Sequence, residues 1–197
     1  MELSWSRLKD GFRNSPNDIE VFEKDNEYHS DSFLDTVVNN ASLILVNKYL
    51  RILCSGETEY ENILLFNSKF KWIIGENKHV VAYDVFGGLF AITENVISYY
   101  SPDALNWENL GISYEGFVLW VSTRNTNEFY ESFIWEDFDT FVKNVKIDEG
   151  IIMYPFLWAK ECDVNTSSKR ILPYDELLET NNGFYIEKKR DDDSEKC

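Results

Sequence analysis

Cysteine, histidine and basic residues are all scarce in this 197-residue chain, and each scarcity closes off a class of function. The three cysteines, Cys54, Cys162 and Cys197, are odd in number and far apart, with no C-x-x-C pair. Neither a disulfide framework nor a cysteine-based metal site is expected, and the thiols read as reduced in a cytoplasm. The two histidines, His29 and His79, have no Cys, His or carboxylate at ligand spacing, so no metal centre is expected. Nineteen Lys and Arg stand against 35 Asp and Glu, a formal net charge of −16. That charge repels phosphate backbones and anionic membrane surfaces, which excludes nucleic acid and membrane as partners and favours either bare solubility or a cationic protein. No segment approaches the ~20 consecutive apolar residues of a membrane span, and "MELSWSRLKDGFRNSPND" lacks the basic and apolar regions of a signal peptide. A cytoplasmic location is the expectation.

Linkers, repeats and low-complexity blocks are also missing, so residues 1–186 read as one domain and the charged "EKKRDDDSEKC" (187–197) as a frayed tail. What is present is apolar and aromatic: 44% hydrophobic residues, with 14 Phe, 11 Tyr and 6 Trp, enough for a packed core without staples. Ser15 before Pro16 in "SPNDIEVFEKD" predicts a short capped helix. Two β-rich runs, 43–46 and 49–53, flank Asn47-Lys48 as a two-residue hairpin. A helix is expected around Tyr60–Asn67. "HVVAYDV", "GLFAIT" and "VISYY" read as strands joined at Gly87-Gly88 and Glu94-Asn95. Beyond Asp103 the pattern becomes helical: one helix capped by Ser113, one opened by an Asn125/Glu128 capping box, and one carrying Trp135, Phe138, Phe141, Val142 and Val145.

The nearest thing to a motif is "AYDVFGGLFAIT", and it has two readings. A phosphate loop would need a Lys, a third Gly in register and a following helix, none of which is here. The alternative is a turn in which Gly87 and Gly88 supply backbone geometry while Asp84 hydrogen-bonds the turn. Cys54 follows a strand as a nucleophile can, but has no base assigned to it and reads as core. Carboxylates beside aromatics, Trp107-Glu108 and Glu136, Asp137 and Asp139 after Trp135, resemble the paired acids of sugar-handling proteins. Glu136 and Asp137 also suit a helix first turn. "GIIMYPFLWAKE" reads as a buried strand or an exposed interface, with the strand as default.

Taken in order, "LRILCSG", "AYDVFGGLFAIT", "YYSPDALNWENL", "YEGFVLWV", "EFYESFIWEDF", "GIIMYPFLWAKE" and "SKRILPYDELL" resemble the bacterial family called domain of unknown function 2625. Tyr83 stands where that family often has an acid, and Thr93 where it often has Asn. A more distant resemblance is to the SUKH superfamily, which implies an α+β domain and a role as an immunity protein neutralising a nuclease toxin. Fold alone does not establish such a role. An acidic surface that steers a cationic partner agrees with it.

The expected architecture is therefore α+β and SUKH-like, a mostly antiparallel sheet from Leu43 to about Tyr100 covered by helices of the second half. The leading function is a non-enzymatic protein-binding module for a basic toxin or nuclease, without cofactor. Its expected contact residues are Asp103, Trp107, Glu108, Glu136, Asp137 and Asp139, while Asp84, Gly87 and Gly88 form a structural turn. The alternative is a small-ligand or carbohydrate-binding protein, which gains if Trp107 and Trp135 line one concave pocket with two carboxylates, whereas a convex acidic face without a pocket favours the protein partner. A homo-oligomer is a third reading and would show a large, apolar symmetric contact.

Overall fold

The computed structural model describes residues 4–25 and 27–194, with 188–194 as backbone only. It opens with α1 (Trp5–Arg13), whose first turn is capped by the Ser4 side chain and which buries Trp5, Leu8 and Phe12 along one stripe. Next come β1 (Ile19–Glu23), α2 (Phe33–Asn40), β2 (Ala41–Val46), β3 (Leu50–Leu53), α3 (Ile63–Lys69) and α4 (Lys71–Ile74). Then follow β4 (His79–Asp84), β5 (Leu89–Thr93), β6 (Val96–Ser101) and β7 (Asn106–Asn109). The second half holds α5 (Tyr114–Trp120), α6 (Asn125–Tyr130), α7 (Phe138–Phe141), β8 (Glu149–Tyr154), β9 (Ser168–Pro173) and α8 (Tyr174–Ser194).

Strands β1 to β7 form one antiparallel sheet in strict chain order, and β8 with β9 forms a separate hairpin. The mixed α+β class is as expected, but the sheet is wider, reaching from Ile19 to Asn109. The segment after Pro16 is a strand instead of a helix. Ile19 and Val21 alternate inward and pair with Val46 and Ile44, so burial on the sheet outweighs the capping signal. Ser15 is used otherwise, accepting the Asn17 N–H and donating to the Ser122 carbonyl.

Cross-strand register sorts the two faces. Ile44, Ile52, Ala82, Phe90 and Tyr99 share one, and Leu45, Arg51, Tyr83, Leu89, Tyr100 and Trp107 share the other. On the first face, Phe90 packs on Phe117, Trp120 and Phe129 of α5 and α6. On the second, Tyr83 stacks on Phe66 of α3 at 4.8 Å and meets Tyr174 of α8 at 4.8 Å. Each such ring, fully buried, stabilises the fold by roughly 1.5–3 kcal/mol. Helix α3 is pinned by Asn67, whose side chain bonds both the N–H and the carbonyl of Val80 at 2.8 Å, where β4 bulges.

The helices differ in detail from expectation. Helix α6 starts without a side-chain cap, so the Asn125/Glu128 box does not form. Of the stretch Trp135–Val145, only Phe138–Phe141 is α-helical and Val142–Asn144 is a 3₁₀ turn, although Trp135, Phe138 and Val142 are still buried. Helix α8 runs through the first eight residues of the expected tail, and 195–197 lie outside the described residues.

Two hairpins turn through positive φ at both central residues, Asn47 (49°) with Lys48 (63°) and Glu94 (51°) with Asn95 (71°). This is the primed-turn geometry that favours Asn-Gly. Glu94 and Asn95 are exposed, so replacing them by Asn and Gly removes left-handed strain without losing a buried contact. The double variant is expected to gain about 1 kcal/mol, read as a higher urea midpoint at unchanged m-value.

Candidate functional site

Three arrangements stand out, and the first is the turn between β4 and β5. Asp84 is fully buried at the end of β4. One carboxylate oxygen accepts the N–H groups of Phe86 and Gly88, each at 2.9 Å. The other accepts the hydroxyls of Tyr99 and Tyr130, each at 3.0 Å. Burial pushes the carboxyl above its ordinary range, and the four donors pull back against that rise. Burial also raises both tyrosines well above the usual phenol value, with the carboxylate adding to the effect. Every lone-pair direction is used inside the molecule, so the chemistry available here is that of a tie joining β4, β6 and α6. Gly87 has φ +91°, and a Cβ there would meet Asn181 Nδ2 at 2.5 Å and Leu177 of α8.

The second is a cleft of about 660 Å³ at the far end of the sheet, lined by Glu23, Lys24, Asp25, Ser42, Ser55, Gly56, Glu57, Thr58 and Glu61. Two distant segments meet there. The exit of β1 is bent by a register shift at Phe22/Glu23 and held by Lys24 N–H to the Asn40 carbonyl and by Ser42 Oγ to the Phe22 carbonyl. The loop after β3 is closed by Asn62, which bonds the Gly56 carbonyl and caps α3, and by Cys54 and Glu61 main-chain bonding. Gly56 permits the close approach, since a Cβ there would overlap Glu61 and stand 2.8 Å from the Ser42 carbonyl. The lining carries four carboxylates against one lysine. Glu23 is also paired with Lys9 at 2.6 Å. Converging carboxylates over a low-dielectric wall concentrate negative potential and attract ammonium or guanidinium groups.

The third is a shelf of rings. Strand β8 buries Ile151 and Met153, then surfaces: Tyr154 is 69% exposed, and Phe156, Leu157 and Trp158 are half-buried. Phe156 and Trp158 stack at 4.7 Å with an interplanar angle of 10°, and both pack on Phe184 of α8. The default of a buried strand thus holds for the first half of "GIIMYPFLWAKE" only. Next to Phe184, Tyr185 touches Tyr100, which touches Trp107, over which Lys78 sits at 5.1 Å.

The acids singled out from sequence are scattered. Asp103 is exposed in the β6–β7 turn and accepts from Ser101. Glu108 is exposed on β7 beside half-buried Trp107, and Glu136, Asp137 and Asp139 are exposed around the start of α7. Trp135 is buried against Phe138 and Phe141 with Lys169 at 4.9 Å, so it shares none of its ring or cation contacts with Trp107. Neither tryptophan lines the acidic cleft or the smaller cleft of about 400 Å³ at Asn127, Glu128, Glu131 and Ile134. The cleft acids lie over 30 positions apart in the chain. "EKDNE" and "GETEYEN" were legible as acidic, but not as neighbours. Cys54 is buried, its thiol pushed up by desolvation. Among the described residues, no three His, Cys, Asp or Glu gather as metal ligands, and no helix is long and apolar enough to cross a membrane.

The fold and these surfaces define an antiparallel α+β protein organised around a buried-carboxylate turn. The chain belongs to the family described as "Protein of unknown function DUF2625", whose model matches residues 1–177. It is 27% identical over 150 residues to the putative uncharacterized protein YbfG of Escherichia coli K12, covering 73% of this chain and 68% of that one. It is 28% identical over 176 residues to an uncharacterized protein of Haemophilus influenzae, covering 78% and 77%. No solved structure matches, so the SUKH likeness has no structural neighbour behind it.

Proposed function

We propose that this protein is a binding module for a basic protein partner, and that the acidic cleft is where a lysine- or arginine-bearing segment of that partner enters. The observation that carries the reading is the convergence of Glu23, Asp25, Glu57 and Glu61 on one 660 Å³ cleft in a chain of net charge −16. Charge of one sign gathered in a concave, preorganised site raises encounter rates with a cationic surface and rejects anionic ones. Exposed Tyr154 and half-buried Trp158 on the shelf are of the residue types that anchor protein interfaces. A basic toxin or nuclease domain is one partner of this chemistry. The carbohydrate reading has no such support, since neither Trp107 nor Trp135 lines either of the two clefts described among these residues.

The test is fluorescence anisotropy with a labelled Lys/Arg-rich dodecapeptide, against a neutral peptide of equal length. The wild type is expected to bind with an affinity that falls steeply with salt. Glu57→Lys with Glu61→Lys weakens it about tenfold or more at low salt, mainly through the on-rate. Reversal at Glu136 and Asp137, or at Asp103 and Glu108, provides the comparison. If those reversals weaken binding as much as the cleft pair does, the attraction is diffuse and the cleft assignment is lost.

A further inference from the structure

Arg51 sits in the middle of β3, between Leu45 and Tyr83 in register, and none of its surface reaches solvent. Its guanidinium lies 5.3 Å from the centre of the Tyr83 ring and donates one hydrogen bond, from Nη2 to the Lys146 carbonyl at 2.8 Å. Nε and Nη1 are buried without a hydrogen-bond partner among the described residues. None of the ion pairs among the described residues includes Arg51.

A guanidinium does not give up its proton, so burial leaves a full charge in the interior. One carbonyl dipole and one aromatic face offset part of the desolvation, but buried charges are ordinarily paired. The neighbouring groups are already engaged. The Tyr83 hydroxyl lies 2.9 Å from both the Tyr60 and Ile147 carbonyls, and its single proton is shared between them. Of the two acids on the covering segment, Glu149 accepts from the Lys146 main chain and side chain instead, and Asp148 is exposed. Above the guanidinium, residues 145–148 are exposed or half-buried, so a small solute reaches it by local opening of this segment.

We infer that Arg51 forms an internal anion site that takes a small monovalent inorganic anion, of chloride size, held by Nε and Nη1 beneath the Lys146–Glu149 segment. Charge and burial set the class: one negative charge matches one unpaired guanidinium, and a site with none of its surface exposed favours the smallest such ion.

Two measurements on the full chain test it. Unfolding in urea is compared in sodium chloride and in sodium gluconate at equal ionic strength, with Arg51→Met and Arg51→Gln alongside. The apparent folding constant of the wild type is expected to be about tenfold higher in chloride at ten times the dissociation constant, and the variants lose this dependence. Crystals grown in sodium bromide are expected to show an anomalous peak beside Nε and Nη1. If neither variant folds, the wild-type salt comparison and the bromide peak decide together. A site occupied by water alone, a halide effect that persists in the variants, or a bromide peak with no halide effect on stability (an adventitious ion only) each overturns the inference.

Discussion

Asp84→Ala is expected to remove about 3–5 kcal/mol of folding stability, the cost of leaving buried donors without their acceptor. A domain of this kind has about 5–15 kcal/mol in total, so the loss is a large share. The substitution strands four donors at once: the N–H groups of Phe86 and Gly88 and the hydroxyls of Tyr99 and Tyr130. Each orphaned group costs about 1–3 kcal/mol, less whatever water can enter. Equilibrium urea unfolding measures the loss, and a change below about 1 kcal/mol would mean that the carboxylate is not the tie described.

Asp84→Asn adds a pH signature. The folded-state pKa of Asp84 is raised, chiefly by burial. A group of that kind takes up its proton more readily folded than unfolded, so its contribution is fullest below the unfolded value near ~4 and declines as pH rises through the folded value. The asparagine variant has no such titration. The stability gap between wild type and Asp84→Asn should therefore widen from pH 7 toward pH 4. A gap that narrows on acidification would mean that the four donors overcome desolvation and hold the carboxyl low.

Gly88→Ala is the second large effect. A Cβ at Gly88 would overlap the Asp84 carboxylate and the Tyr99 hydroxyl, and would stand 2.7 Å from Tyr99 Cε2. All three belong to fully hydrogen-bonded or packed groups, so no flexible end can yield. Overpacking costs about 1–3 kcal/mol, and displacing the carboxylate adds part of the Asp84 penalty, for a total near ~3 kcal/mol or more. Tyr99→Phe combined with Gly88→Ala separates the two components, because removing the hydroxyl relieves part of the overlap. Less than full additivity is expected. Complete additivity would place the strain elsewhere.

Much of the sheet was legible because its signals are local. Asn47-Lys48 and Glu94-Asn95 between alternating apolar runs dictate hairpins through the backbone conformations that those pairs tolerate. The helix cap at Ser113 acts within three residues of itself. The expectation that nucleic acid and membrane are poor partners rests on summed charge, which needs no fold. Where local and distant forces compete, the sequence misleads. Ser15-Pro16 looks like a helix start, yet Ile19 and Val21 find Val46 and Ile44 across a strand pair and burial prevails. Asn125 and Glu128 have the spacing of a capping box, but α6 follows α5 so closely that Arg124 occupies the cap.

The α+β class, the turn at Gly87-Gly88 and an acidic, aromatic-rich character were readable from residue type and near-neighbour spacing. Only the tertiary structure decided which acids converge, because residues 23–25 and 57–61 are joined by a bulge and a loop closure that no local pattern encodes. It likewise decided that "YPFLW" surfaces as a shelf and that Arg51 is buried with no ion-pair partner among the described residues. Both follow from which side of a strand meets a neighbour, and a side chain's burial is a property of the chain packed against it.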